Sequence, residues 1–485
     1  MQNNVATQEK TIGALLWKFT ERVGAQLIQF IVSIVLARIL APDDYGVIAL
    51  ITVFTQIAAV FVQSGFGTAL LRKFEVDELD YNSVFWVTFS ISLIAYAILF
   101  VSAPYIAVFY DSEMLTSVLR VLSVNIILGS VNSVQNVKLR REMRFKTVFT
   151  NTITATIISG IVGITMAVMG YGVWALVGQQ FTSTITVTIV MLFTVRWYPK
   201  LQFSITRIKT MFSFGWKMLC SSLLDTVYNN IYSLIIGLKY STTDLAYWNK
   251  AKQFPSLMVD NINGSLGAVM LPVMAQQQND IPELRKTVRH TLTLSMYIVV
   301  PMMVGLGILA EPIITLVLTE KWLPAVPFMQ VWCFTYAFYP IHTINLQSYQ
   351  ALGRSDVFLK LEIYKKIMGV TILVIAMPFG LMWMAYSKIL SAILSTIINS
   401  YPNKKLLKYT IFDQYKDIML SALPAILMGV AVYCIGFIEM NYILLMAIQV
   451  VAGVFIYWIL SAVLRNQSYL FIKDSILNKF KDKKV

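Results

Sequence analysis

The sequence predicts an all-α integral membrane protein with about fourteen transmembrane helices. Hydrophobic residues make up 57% of its 485 residues, and charged residues make up only 13%. Soluble globular chains are about 45–50% apolar and about 25% charged. Apolar runs of roughly 20 residues follow one another along the chain, and each is long enough to cross a hydrocarbon core of about 30 Å as a helix. The mean hydropathy of +0.67 agrees with this prediction.

The predicted segments are separated by short polar connections. They lie at residues 12–38, 45–64, 81–108, 114–137, 146–169, 172–195, 210–238, 243–274, 285–309, 323–347, 356–377, 379–400, 416–437 and 440–464. The first segment is longer than the apolar core of about 7–15 residues in a signal peptide, and no small-residue cleavage site follows it. We therefore expect that no signal peptide is removed.

Positive charge is concentrated on one side of the predicted membrane. Basic connections, such as the one with Arg140, Arg141 and Arg144, alternate with acidic or short connections at 43–44 and 170–172. With both chain ends included, about 29 of the 39 Lys and Arg residues lie on the basic side and about three on the other. Because short basic connections stay in the cytoplasm, we expect both termini there. The net charge of +14 then reflects orientation and attraction to anionic lipid, and we expect no nucleic-acid partner.

Two stretches of the chain repeat the same order of features. Trp17–Lys18, a long helix and Asp43–Gly46 in the first stretch correspond to Trp216–Lys217, a long helix and Thr243–Ala246 in the second. The repeat predicts a six-helix lobe at 1–205, a second six-helix lobe at 206–408, two additional helices at 409–465 and a cytoplasmic tail at 466–485. Because six is an even number, both lobes have the same orientation. Alternating-access transporters use this parallel arrangement, with the substrate path between the lobes.

Charged and polar side chains concentrate in the first helices of the two predicted lobes. A charge at the bilayer centre costs at least about 2.5 kcal/mol on insertion scales, so it requires a partner or a wet cavity. The predicted cavity binds a phosphate and sugar hydroxyls through Arg22, Lys250, Lys252, Lys18, Lys217, Asn229 and Trp248. Glu21, Asp225 and Asp260 either neutralise these cations or carry a coupling proton.

The depth of each charged residue in the membrane helps to distinguish substrate binding from an interfacial or structural role. Lys18 and Lys217 are one or two helical turns from the cytoplasmic edge, so snorkelling explains them as well as substrate binding does. Lys250 and Lys252 lie about 14–16 Å deep at about 1.5 Å per residue, where snorkelling is hard. Arg120 begins a segment near the outer face, where we expect an interfacial role. Lys388 has no obvious partner in the sequence and receives no role.

Other functional classes lack the residues that they require. The three cysteines are far apart and the two histidines, His290 and His342, are isolated, so the sequence supports no metal site and no His-dependent catalytic set. It contains no P-loop, and the connections on the less basic side are too short for a polymerase or glycosyltransferase site. We therefore expect a membrane transporter without a cofactor, and not an enzyme.

Three segments resemble bacterial polysaccharide exporters. They are residues 38–50 (RILAPDDYGVIAL), 135–146 (QNVKLRREMRFK) and 349–356 (YQALGRSD). In these segments, and in length and topology, the chain is similar to Wzx-type lipid-linked oligosaccharide flippases near the colanic acid and teichuronic acid exporter branch. The resemblance implies the multidrug/oligosaccharidyl-lipid/polysaccharide exporter fold, with two six-helix lobes and a cationic central cavity.

The resemblance also implies a function. A flippase of this family moves undecaprenyl diphosphate with a sugar repeat unit from the cytoplasmic to the outer leaflet of the bacterial inner membrane, for exopolysaccharide, lipopolysaccharide O-antigen or capsule biosynthesis. The implied partners are this lipid, the surrounding membrane lipid, a polysaccharide polymerase and a chain-length regulator. The alternative is an ion-coupled multidrug or cation exporter on the same fold, although the predicted cavity carries more bases than acids. The family has no strict cavity motif, so the candidate residues rest on their positions alone.

Overall fold

The computed structural model describes residues 24–63 and 65–481, which form an all-α structure. In chain order the helices are α1 Gly24–Ile39, α2 Pro42–Gln63, α3 Phe66–Arg72, α4 Glu78–Phe109, α5 Met114–Arg141, α6 Phe145–Val168, α7 Val173–Val195, α8 Ile205–Lys239, α9 Thr242–Gln276, α10 Ile281–Ile308, α11 Ala310–Leu318, α12 Val326–Ala337, α13 Tyr339–Ala351, α14 Ser355–Ala376, α15 Leu381–Ser400, α16 Asn403–Leu406, α17 Ile411–Ile435, α18 Tyr442–Val463 and α19 Gln467–Lys481. Short 3-10 segments span Glu320–Ala325 and Met377–Phe379. No strand forms within these described ranges, which confirms the predicted all-α class.

Ten spans in the described part of the chain are long and apolar enough to cross a membrane. They are α2 with α3, α4, α5, α6, α7, α9, α10, α15 with α16, α17 and α18. The protein is therefore a multi-pass membrane protein, as predicted. The count of fourteen helices stays a prediction.

The other four predicted segments correspond to α1, α8, α14 and the pair α12 and α13. Of the first segment, only the short apolar helix α1 is described. Helix α8 contains Lys217 and Asp225, and α14 contains Lys360, Lys365 and Lys366, so charged residues interrupt the apolar stretch of each helix. Polar residues of this kind are tolerated in membrane helices that face other helices or a wet cavity.

The segment predicted at 323–347 consists of two helices, so the prediction of a single helix there was wrong. Helix α12 ends at Ala337 and α13 begins at Tyr339, with Pro340 in its first turn. Proline lacks a backbone N–H and suits the first turn of a helix better than its interior. The preceding connection, predicted as a short loop, contains α11 and the 3-10 segment Glu320–Ala325.

The chain packs as two compact units, Met1–Ala246 and Tyr247–Val485, which divide within α9. Helix α8, the first helix of the predicted second lobe, packs against α2, α3 and α4 of the first unit. The compact units are thus not the same division as the predicted lobes at 1–205 and 206–408. The lobes, the two additional helices at 409–465 and the tail at 466–485 stay predictions.

In the first unit, neighbouring helices pack as hairpins around an aromatic core. Helix α4 packs against α5, and α6 packs against α7. One core cluster brings together Leu70, Tyr81, Phe85, Val134 and Trp197, all of which are buried. The cluster joins α3, α4 and α5 to the end of α7, so it stabilises the packing of helices that are distant in sequence.

In the second unit, α10 is the central helix. Its Leu284, Val288 and Leu292 are fully buried, and they belong to the same core cluster as Tyr409 and Tyr457. Helix α17 packs along α10 and against α18, and α18 also contacts α10. The tyrosine hydroxyl of Tyr457 donates a hydrogen bond to the Tyr297 carbonyl at 2.9 Å, which ties α18 to α10.

The predicted repeat is reflected in the turns that begin α2 and α9. The Ala41 N–H donates to Asp44 Oδ2 at 3.2 Å, and the Ser241 N–H donates to Asp244 Oδ2 at 3.3 Å. A carboxylate in the first turn of a helix satisfies backbone N–H groups that have no partner within the helix. The same chemistry therefore begins both helices.

The turns α5–α6 and α13–α14 also share one geometry. Met143 and Gly353 have positive φ values of 54° and 69°. The N–H of the next residue, Arg144 or Arg354, donates to a carbonyl in the last turns of the preceding helix at 2.9 or 2.8 Å. The two turns thus have the same backbone conformation.

Candidate functional site

The predicted site residues fall into three groups. Lys18, Glu21 and Arg22 lie outside the described residues, and their roles stay predictions. Lys217, Asp225 and Asn229 lie on α8 in the first unit, whereas Trp248, Lys250, Lys252 and Asp260 lie on α9 in the second.

Helix α8 carries a polar face. Lys217, Asp225 and Asn229 are spaced by eight and four residues, so they share one side of the helix, and all three are exposed. Next to them, the Asn230 side-chain amide donates to Gln56 Oε1 of α2 at 3.1 Å. The polar face of α8 therefore extends to amide side chains of α2 within the first unit.

In the second unit, Lys250 is a buried lysine in an aromatic environment. Its side chain is only 6% exposed, and its Nζ atom lies 5.8 Å from the centroid of the Trp322 ring. Trp322 belongs to the 3-10 segment before α12 and is fully buried. The negative face of an indole ring attracts an ammonium group, and this attraction increases when water is excluded.

Lys252 and Lys388 contact a second tryptophan. The Nζ atom of Lys252 lies 5.3 Å from the centroid of the Trp332 ring, and that of Lys388 lies 5.7 Å from the same centroid. Lys252 is on α9, Trp332 on α12 and Lys388 on α15. Three helices thus bring two lysines to one ring.

Trp332 is the centre of an aromatic cluster. Its ring lies 4.7 Å from Trp248 and 5.9 Å from Tyr336, and Trp248 in turn lies 5.9 Å from Phe328. Trp248 is only 2% exposed, so it supports the Trp332 ring from within the packed interior of the unit. Its predicted contact with sugar stays a prediction.

Asp260 is an acidic residue near this cluster. It interacts electrostatically with Lys252, and it also lies near Tyr336 and Tyr339. Asp260 is eight residues after Lys252 on α9, which places both on the same side of that helix. The pairing fits the predicted neutralising role, while the coupling role stays a prediction.

An apolar cavity of about 470 Å³ lies elsewhere in the second unit. Helices α10, α17 and α18 line it with side chains such as Pro301, Leu306, Val432, Val450 and Tyr457. Its walls are almost entirely apolar, so they suit a hydrocarbon chain and not a charged headgroup.

The histidines and acids do not form a metal site in the described part of the chain. No group of three or more His, Cys, Asp or Glu side chains with suitable geometry occurs there. His342 is paired through Nδ1 with the Asn399 amide at 3.0 Å, and His290 packs on the Phe471 ring at 4.5 Å. Each histidine therefore has a partner within the fold.

A group of ion pairs joins α4 to the beginning of α8. The buried Asp80 carboxylate pairs with Lys73 at 2.6 Å and with Arg207 at 3.0 Å. Arg207 also pairs with Asp77, which begins α4 through a capping box. Hydrogen bonding from Arg207 lowers the pKa of the Asp77 carboxyl to about 2. These contacts lie on the predicted cytoplasmic side.

Residues 35–327 match a protein family described as polysaccharide biosynthesis protein. The teichuronic acid biosynthesis protein TuaB of Bacillus subtilis (strain 168) is 23% identical over 88% of this chain and 89% of its own length. The lipopolysaccharide biosynthesis protein WzxC of Escherichia coli (strain K12) is 20% identical over 86% of this chain and 85% of its own. These similarities extend over most of each chain and confirm the resemblance found in the sequence.

Two solved structures share the fold. The lipid II flippase MurJ, in an inward closed conformation, aligns with a TM-score of 0.77 over 95% of this chain and 100% of its own, at 15% identity. An inward-facing multidrug resistance MATE transporter aligns with a TM-score of 0.61 over 79% of this chain and 96% of its own, at 14% identity. The chain therefore has the exporter fold that the resemblance implied.

Proposed function

This chain belongs to the polysaccharide biosynthesis protein family, and on that premise we propose that it is a flippase for a lipid-linked oligosaccharide. Its substrate is undecaprenyl diphosphate that carries a sugar repeat unit. The protein moves this headgroup from the cytoplasmic to the outer leaflet of the bacterial inner membrane, where surface polysaccharide is assembled. A polysaccharide polymerase and a chain-length regulator act on the product.

The observation that carries this proposal is the set of lysines on α9, a helix long and apolar enough to span a membrane. Lys250 is 6% exposed and Lys252 is partly buried, each beside a tryptophan ring. Lysines at this depth are expensive to insert into a membrane, so their presence indicates a function. An ammonium group is a point charge suited to phosphate, so a diphosphate headgroup accounts for the charge.

Transport proceeds by alternating access. In the inward-open state, Arg22, Lys250 and Lys252 bind the diphosphate, while Lys18, Lys217, Asn229 and Trp248 form the polar and aromatic surroundings of the sugars. The prenyl chain remains in the bilayer, and the apolar cavity along α10, α17 and α18 offers it a surface of matching chemistry. The protein then opens outward and releases the headgroup.

An ion gradient or the membrane potential supplies the energy for the return step. The sequence contains no nucleotide-binding P-loop. Glu21, Asp225 and Asp260 are the carboxylates that could carry a coupling proton, and Asp260 interacts with Lys252 in the second unit. Protonation of Asp260 would leave the positive charge of Lys252 available for the diphosphate.

The names of the relatives support this substrate class. TuaB and WzxC are named for the biosynthesis of teichuronic acid and lipopolysaccharide, and the solved MurJ structure is titled a lipid II flippase. The orientation with both termini in the cytoplasm is supported by the distribution of Lys and Arg between the two sides.

A transport assay in proteoliposomes tests the proposal. The purified full chain is reconstituted with a fluorescent undecaprenyl-diphosphate sugar, and access of an external quencher reports the movement of the headgroup. We expect the external quencher to quench the fluorescent lipid of both leaflets only when the protein is present, at a rate that depends on an imposed ion gradient. Inactivity on every lipid-linked sugar, together with export of cationic dyes, would instead support a multidrug exporter, the function named for the structurally similar MATE protein.

A further inference from the structure

Two lysines from helices far apart in the sequence meet at one tryptophan ring in the second unit. Lys252 of α9 and Lys388 of α15 lie 5.3 and 5.7 Å from the Trp332 centroid, and the two ammonium groups interact electrostatically. Like charges held close together repel each other, and a bound anion relieves this repulsion. The arrangement thus favours an anionic ligand next to the ring.

The Trp332 indole supplies a second, independent indication of a ligand. The residue is only 6% exposed, and its Nε1–H group makes no hydrogen bond to the described residues. This group can only donate, and a buried donor without an acceptor is costly to maintain in a folded protein. The Trp332 N–H therefore lacks an acceptor that an oxyanion would provide.

Acidic groups also lie near this part of the second unit. Asp260 interacts with Lys252 and with Tyr336 and Tyr339 on α12 and α13, and Glu362 on α14 also interacts with Tyr339. Trp248 packs against the Trp332 ring at 4.7 Å and holds it in place, so the two lysines contact a ring of fixed position.

We propose that Lys252, Lys388 and the Trp332 N–H together form a subsite for one phosphate group of the substrate. This inference rests on the proposed function, and it adds Lys388 and Trp332 to the residues that bind the diphosphate. The two ammonium groups supply charge, and the indole N–H supplies a donor of fixed direction. Each phosphate of the substrate has two non-bridging oxygen atoms, and because each oxygen can accept more than one hydrogen bond, one phosphate can accept from all three groups.

Equilibrium binding to the full chain in lipid nanodiscs tests the subsite. The probes are undecaprenyl diphosphate, which carries no sugar, and undecaprenol, which carries no phosphate. Lys388→Gln removes one charge, and Trp332→Phe removes the N–H with part of the indole while retaining an aromatic ring. Since a hydrogen bond to a charged group is worth about tenfold or more in affinity, each variant should weaken diphosphate binding by about tenfold and leave undecaprenol binding unchanged. Lys388→Arg should restore most of the affinity.

Two matched variants control for the loss of a charge and of an indole. Lys209→Gln removes an exposed lysine at the beginning of α8, and Trp383→Phe changes an exposed tryptophan on α15, the same helix as Lys388. Both should bind undecaprenyl diphosphate as the unaltered chain does. A thermal unfolding midpoint within the range of these controls would show that the site variants are folded.

The possible outcomes separate this inference from the proposed function. If the unaltered chain binds undecaprenyl diphosphate and both site variants bind it equally well, the subsite is wrong and the flippase proposal stands. If the unaltered chain binds no polyprenyl diphosphate, both fail. If the site variants bind undecaprenyl diphosphate as the unaltered chain does but lose affinity for a third probe, undecaprenyl diphosphate that carries a uronic acid, the subsite binds a sugar carboxylate and its assignment to phosphate is overturned.

Discussion

Substitution of Gly46 by alanine should separate the beginnings of α2 and α9. A Cβ atom at Gly46 would lie 1.8 Å from the Thr242 carbonyl oxygen, whereas ordinary contacts begin at 3.4 Å. The obstacle is backbone and not a flexible side chain, so one of the two helix beginnings must move. Asp43 also accepts hydrogen bonds from the Thr242 and Thr243 hydroxyl groups across the same contact, and these bonds must break as the helices separate.

The energetic cost follows from the size of this clash. Overpacking of a tight contact typically costs about 1–3 kcal/mol. A change of this size alters the ratio of the closed to the separated arrangement about 5- to 150-fold. Alanine is otherwise favoured over glycine inside a helix by about 1 kcal/mol, so a loss of protection at Gly46 would come from the contact and not from helix propensity.

Amide hydrogen exchange measured by mass spectrometry tests this prediction. In the Gly46→Ala variant, peptides covering both helix beginnings, residues 41–50 and 241–250, should exchange faster than in the unaltered chain. Gly129→Ala is the matched control, because no atom lies within 4 Å of a Cβ atom built there. Unchanged exchange in both peptides of the Gly46 variant would refute the reasoning, as would equal acceleration in the control.

Two further predictions concern ion pairs. Asp417 is 3% exposed and accepts hydrogen bonds from Arg289 at 2.6 and 2.7 Å and from the Tyr409 hydroxyl at 2.7 Å. Asp417→Asn should therefore lower the free energy of unfolding by about 1–3 kcal/mol, less than the roughly 3–5 kcal/mol of a fully buried pair, because Arg289 is half-exposed. An unchanged thermal unfolding midpoint in detergent would contradict this prediction. Arg207 lowers the pKa of Asp77 from 3.8 to about 2. The stability that this ion pair gives to the fold is therefore complete above pH 3.8 and is lost as the pH falls through about 2. The difference in unfolding midpoint between the unaltered chain and Arg207→Gln should shrink over that pH window, and a difference that does not change with pH would argue against the pair.

Apolar patterning predicted the long helices accurately, but it missed interruptions inside apolar stretches. The segment predicted at 243–274 is α9 at Thr242–Gln276, because an apolar run is bounded by an acidic first turn and a polar connection. No charged residue interrupts the stretch at 323–347, so hydropathy alone predicts one segment, and the sequence signal for the division is Pro340 itself. Hydropathy averages over a window and therefore does not detect a single backbone break.

The sequence predicts lysines of the candidate site but not their surroundings. Lys250 and Lys252 stand out because they are charges in an apolar segment. Their neighbours Trp322, Trp332 and Lys388 are distant in the chain, and the spacing of residues along one helix gives no information about side chains on another. Lys388 stands out in the sequence only as an intramembrane charge, and its position next to Trp332 is visible in the structure alone.

We propose that the lysines of α9 bind the diphosphate during transport. This binding is tested by the rate of flipping of a fluorescent undecaprenyl-diphosphate sugar in proteoliposomes that contain either the unaltered chain or the Lys250→Ala, Lys252→Ala double variant. We expect the unaltered chain to flip the lipid and the double variant, folded by its thermal unfolding profile, not to flip it. Normal flipping by the double variant would show that these lysines are structural and that the diphosphate binds elsewhere.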